Sequence, residues 1–179
     1  GSSTNSSWTT TQRVVSSLAV YNNQLCAGLE VVNTVGNGNV WCYNGSTWTQ
    51  IGGSSNLNSG WSSANSDAVA ALTSYNGYLY AAVSEMTTQN SSIWRWNGTS
   101  WSQVAGGGTA SSWPDGTYTR LTSMTTYNGE LYVGTGTTTA GNGDVWKYNG
   151  TSWSQAAGDS VNNSGAVGTI DVVPTEKVQ

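Results

Sequence analysis

Short stretches crowded with apolar side chains alternate along this chain with stretches of Ser, Thr, Asn and Gly. VVSSLAVY, AVAALTSY and RLTSMTTY mix β-branched and small residues, and each ends on a tyrosine: Tyr21, Tyr75 or Tyr127. Each then meets Asn-Asn or Asn-Gly, a two-residue hairpin signal, because both turn residues must accept a positive φ. The returning strands are QLCAGL, YLYAAV and ELYVGT. After a Gly/Thr/Ser/Asn loop come NVWCY, SIWRW and DVWKY, then a turn NGST or NGTS, then WTQIG, WSQVA or WSQAA. No segment carries a helical apolar period or a capped helical start. In the second and third strands both faces carry apolar or aromatic groups: Leu131 and Val133 alternate with Tyr132, and Val145 adjoins Trp146. A sheet wet on one face would alternate apolar with polar, so these sheets are expected to be covered on both.

The strand pattern repeats. Tyr21, Tyr75 and Tyr127 are spaced by 54 and 52 residues, and Trp41, Trp94 and Trp146 by 53 and 52. Trp48, Trp101 and Trp153 keep the same steps, and Trp8, Trp61 and Trp113 each stand 13 or 14 residues before their tyrosine. Four-stranded antiparallel meanders repeating at such a length are the mark of a β-propeller. The sequence therefore predicts an all-β fold, a β-propeller segment of three four-stranded antiparallel blades plus an extra C-terminal strand. It forms one propeller-type domain over 1–179: blade 1 at about 8–60, blade 2 at about 61–112, blade 3 at about 113–159, and a C-terminal linker and strand at about 160–179. Two packed sheets in a sandwich are the alternative.

The stretch YNGELYVGTG with DVWKYNGTSWSQ resembles the kelch family of propeller repeats. That family has a turn, an aromatic-bearing strand ending in paired glycines, and a strand with an aromatic a few residues before a Trp. Here Tyr43, Trp96 and Tyr148 are those aromatics, with Trp48, Trp101 and Trp153 as partners. The glycine pair is replaced by Ala27-Gly28, Ala81-Ala82 and Gly134-Thr135. The likeness thus implies a propeller blade without implying membership of the kelch family proper. Ser/Thr/Asn-rich units of this kind also resemble bacterial or archaeal extracellular, lectin-like propeller repeats. Such folds host both enzymes and binding scaffolds, so fold does not choose function.

Three blades raise a question of completeness. Propellers typically have four to eight, and three leave two apolar blade faces open, although burial is favourable by ~25 cal/mol per Å². Partners are therefore expected: further copies of the chain or further blades, closing a ring or growing a filament. Val167, Ile170, Val172 and Val173 read as the extra strand, stopped by Pro174. It either completes a neighbouring blade by edge addition or pads its own terminus.

Composition narrows the chemistry. Charged residues make up 8%, against a usual ~25%, while Ser, Thr, Asn and Gln number 26, 24, 18 and 7. With a net charge of −4 and no Lys/Arg cluster, no nucleic-acid partner is expected. Without a run of ~20 apolar residues, no membrane insertion is expected either. The absence of His removes the commonest acid/base, the commonest zinc ligand and the Ser-His-Asp triad. The nine carboxylates are scattered, with no calcium loop and no pair repeated in each blade. No catalytic residue, metal or cofactor is therefore expected. GNGN, AGGGT and AGNGD lack the lysine and helix of a phosphate cradle and read as loops. Gly1-Ser2 reads as a cloning remnant, unless a signal peptide has already been removed.

Two sets of residues remain as candidates. Pairing Leu25 with Tyr43 and Ala27 with Trp41 places Cys26 opposite Cys42, and the same register gives Tyr80–Arg95 and Tyr132–Lys147 as cation–π pairs. A Cys26–Cys42 disulfide would be worth about 3 kcal/mol and would imply an oxidising compartment; two buried free thiols are the alternative. Trp8, Trp61 and Trp113 lie in polar linkers, SSW, SGW and SSWPDG. There a ring facing solvent would stack on a sugar, while a ring facing inward would wedge between blades. The leading expectation is an extracellular, secreted or surface-displayed, non-enzymatic recognition or adhesion module that binds glycans through Trp8, Trp61 and Trp113. The alternative is a structural subunit of a surface assembly or filament; a glycan-acting hydrolase is the third reading.

Overall fold

The computed structural model describes residues 14–30, 38–53, 56–61, 66, 68–85, 90–106, 109, 113, 118–137 and 143–158. Trp8 and the expected C-terminal strand lie outside these residues. Twelve strands form three antiparallel meanders of four. Meander 1 holds β1 (Val14–Tyr21), β2 (Gln24–Glu30), β3 (Asn39–Tyr43) and β4 (Trp48–Gly52). Meander 2 holds β5 (Ala68–Tyr75), β6 (Tyr78–Ser84), β7 (Ser92–Trp96) and β8 (Trp101–Ala105). Meander 3 holds β9 (Arg120–Tyr127), β10 (Glu130–Gly136), β11 (Val145–Tyr148) and β12 (Trp153–Ala157). The one helical element among the described residues is a 3-10 turn at Leu57–Ser59. The fold is all-β.

Local chemistry sets the strand ends. At the first hairpin of each meander both turn residues have positive φ: 46° and 60° at Asn22 and Asn23, 47° and 79° at Asn76 and Gly77, 49° and 76° at Asn128 and Gly129. Asn and Gly tolerate that region best, which is why the hairpins form there. At the second turn the Oδ1 atoms of Asn44, Asn97 and Asn149 accept the backbone N–H groups two and three residues on, at 2.8–2.9 Å. These side chains replace ladder bonds that the reversing backbone cannot make. Bulges recur too. The register of the first strand pair shifts between Val15 and Ser17, between Val69 and Ala71, and opposite Gly134/Thr135. Each shift adds local twist at the same place in the repeat.

Between β2 and β3, Leu25 pairs with Tyr43, Cys26 with Cys42 and Ala27 with Trp41, the register expected from the repeat. Cys26 and Cys42 form a disulfide. Glu30 pairs with Ala68, so meanders 1 and 2 share one eight-stranded sheet, while meander 3 is a separate sheet.

The core has two parts, each between successive meanders. Tyr21, Cys26, Val40 and Cys42 of meander 1 pack with Val69, Leu72, Leu79, Trp96 and Trp101 of meander 2. Tyr75, Tyr80, Ala82 and Ile93 of meander 2 pack with Leu121, Leu131, Tyr148 and Trp153 of meander 3. At each junction the leading face of one meander therefore meets the trailing face of the next. Polar groups lock the first contact as well: Ser16 Oγ donates to the Val69 carbonyl at 2.6 Å, and the Leu72 N–H donates to Ser17 Oγ at 2.7 Å.

Candidate interaction surfaces

Trp61 and Trp113 are wedges. Trp61 is 2% exposed, packed 5.9 Å from Trp94 and 5.1 Å from Trp101. Its indole N–H donates to the Gly38 carbonyl at 2.8 Å, back across the junction. Trp113 is also 2% exposed, ringed by Tyr118, Trp146 and Trp153 at 5.5–5.7 Å, with its N–H on the Ser91 carbonyl at 3.1 Å. The strand tryptophans repeat the device: Trp101 donates to the Ile51 carbonyl at 2.7 Å, and Trp153 to the Val104 carbonyl at 2.8 Å. A ring this covered leaves no face for a sugar. The solvent-facing geometry expected of Trp61 and Trp113 is therefore corrected: their polar linkers cover large apolar rings that two meanders bury together.

The two cations are placed differently from expectation. Arg95 stands opposite Tyr80, and Lys147 opposite Tyr132, as the register required. Yet Arg95 lies over the ring of Tyr78, 4.6 Å from its centroid, and Lys147 pairs with Glu130 at 3.1 Å. Both side chains lean to the diagonal neighbour, which a long cation reaches as readily as the direct one. Burial, and next the neighbouring Tyr148, push the Tyr80 phenol up to about 12, against the pull of Arg95.

Four carboxylates lie among the described residues. Glu130 is the partner of Lys147, and Glu85 accepts from Ser66 Oγ at 3.3 Å. Buried Asp144 accepts from the Tyr118 hydroxyl and from Gln155 Nε2, the latter at 2.8 Å. Burial, and then this carboxylate, raise the Tyr118 phenol. Glu30 lines a cleft of about 160 Å³ with Ser84 and Arg120, where the three meanders meet. That cleft has space for a few waters. Among the described residues, no three of His, Cys, Asp and Glu gather as a metal site would need. No helix among them is long and apolar enough to cross a membrane.

Sequence reasoning assigned no residue to the two surfaces that do stay open, although it named Leu25 and Tyr127 for their places in the repeat. On meander 1 the trailing face exposes Val15, Leu18, Val20 and Leu25. Leu25 is 39% exposed, whereas its repeat partners Leu79 and Leu131 are 0% exposed against the meander before them. On meander 3 the leading face exposes Tyr127 at 53%, whereas its partner Tyr75 is 5% exposed and donates its hydroxyl to the Gly129 carbonyl at 2.9 Å. The signal was present in the repeat: aligned positions with the same apolar residue demand the same cover.

No protein-family model matches this chain, and no curated protein is significantly similar to it.

Proposed function

We propose that the three meanders are propeller blades and that the chain is a non-enzymatic structural subunit of an extracellular assembly. Blade-on-blade contact is its working interaction. One observation carries this reading: positions buried at both internal junctions are exposed at the two outer faces. A monomer with no use for those faces would not keep Val15, Leu18 and Leu25 in water. The disulfide fits an oxidising compartment, and an uncharged Ser/Thr/Asn surface suits display outside the cell. The partners are further blades, on copies of this chain or elsewhere.

Glycan-directed adhesion is the second reading, favoured by three equivalent, exposed, uncharged turns beginning at Asn44, Asn97 and Asn149. Linked weak sites of one design gain avidity. A glycan array separates the two. The structural reading expects no signal; a reproducible signal that survives Leu18→Glu with Leu25→Glu would overturn it.

A further inference from the structure

We infer that the trailing face of meander 1 receives the leading face of meander 3 from a second copy of this chain, head to tail. This rests on the blade reading above and names the partner it leaves general.

The internal junctions supply the template. In each, a tyrosine at the end of the first strand reaches over the glycine turn of the next meander. A Cβ built on Gly98 would stand 3.8 Å from the Tyr21 hydroxyl, and one on Gly150 would stand 3.7 Å from that of Tyr75. The equivalent turn in meander 1 holds Gly45, where an added Cβ would meet nothing within 4 Å. The equivalent tyrosine in meander 3 is Tyr127, which is exposed. Among the described residues, meander 1 thus has a turn without its tyrosine and meander 3 a tyrosine without its turn.

Both halves of the missing junction are already shaped. Tyr127 packs against Tyr132 with ring centroids 6.1 Å apart and planes at 64°, close to Tyr75 against Tyr80 at 5.7 Å and 57°. Tyr43 and Trp48 stack at 5.2 Å, as Tyr148 and Trp153 do at 4.7 Å on the face that meets meander 2. Docking therefore reuses side-chain arrangements already present, and little ordering cost is added. By repeat symmetry the Tyr127 hydroxyl donates to the Asn23 carbonyl of the second copy, as Tyr75 does to Gly129. Val15, Leu18 and Leu25 are covered in the same step, as Val69, Leu72 and Leu79 are by meander 1. Two copies joined at both ends hold six meanders, within the usual range for a closed ring.

The test is sedimentation of the whole chain, of a Leu18→Glu/Leu25→Glu variant, of a Tyr127→Glu variant, and of the two variants mixed. These sites are exposed, and near-UV circular dichroism of the buried tryptophans checks that both variants fold. Wild type is expected at twice the 18.7 kDa chain mass. Each variant alone is expected to associate at least about tenfold more weakly, since it places a charge in an apolar contact. The mixture recovers association, because the intact meander 3 of one variant meets the intact meander 1 of the other. A mixture no better than either variant, or a dimer indifferent to Tyr127→Glu, would overturn head-to-tail docking, as would a monomeric wild type. None of these touches the structural-subunit reading, which fails separately on the glycan signal.

Discussion

Meanders 1 and 2 share strand plan, register, turns and bulges, yet they differ in what lies on either side. Leu79 is fully covered while Leu25, in the same place, is not. Where meander 2 sets Tyr80 across from Arg95, meander 1 has a disulfide. The Trp94 indole donates to Ser92 Oγ at 3.0 Å, whereas among the described residues the buried Trp41 N–H finds no acceptor. A four-stranded sheet here is not a unit that satisfies itself. Its neighbours complete it; of the two meanders open on one face, meander 1 carries a disulfide and meander 3 the Lys147–Glu130 ion pair.

The largest effect is expected where two meanders share one side chain. Trp113→Ala should cost about 3–5 kcal/mol by emptying a junction ring cluster, seen as a fall in denaturation midpoint. A conservative Trp113→Phe should recover part of it. Next, Cys26→Ser with Cys42→Ser should cost about 3 kcal/mol, read by the same urea titration with and without reductant. An unchanged midpoint would mean that meander 1 is held by its contacts after all. Third, Leu79→Ala should cost about 2–4 kcal/mol and Leu25→Ala under about 1 kcal/mol in dilute solution. Equal costs would erase the contrast between a covered and an open face. Fourth, Tyr75→Phe should cost about 1 kcal/mol through its bond to Gly129, with Tyr127→Phe near zero in the isolated chain.

The last effect is absent at neutral pH and appears only in alkali. Tyr80 ionises near 12 in the folded chain and near 10 when unfolded. Its stabilising contribution is complete below pH 10 and is lost as pH rises from there through about 12. A Tyr80→Phe variant should flatten that decline; absorbance at 295 nm together with near-UV dichroism would report it. A decline unchanged by the substitution would assign alkaline unfolding to other groups.

Much of the backbone was legible because it depends on near neighbours. Asn22-Asn23 and Asn128-Gly129 determine their turns locally, and the repeat fixed the register that sets Cys26 against Cys42. What failed depends on distant partners. Trp61 and Trp113 stand among serines and glycines in the chain, but their rings are covered by residues from other strands. Register names the residue opposite Arg95, yet only side-chain reach decides that the guanidinium settles over Tyr78. The sequence led to the expectation of open apolar faces, but it did not single out Val15, Leu18, Val20 and Leu25 as the exposed residues of meander 1.

The Cys26–Cys42 bond also decides what a protease leaves behind. It closes within one meander and ties β2 to β3 without reaching any other sheet. A cut between those cysteines frees no fragment until thiol is added, so the damage stays hidden on a non-reducing gel. A cut after Tyr43 meets no covalent safeguard, and the pieces stay together only through strand pairing and the shared core.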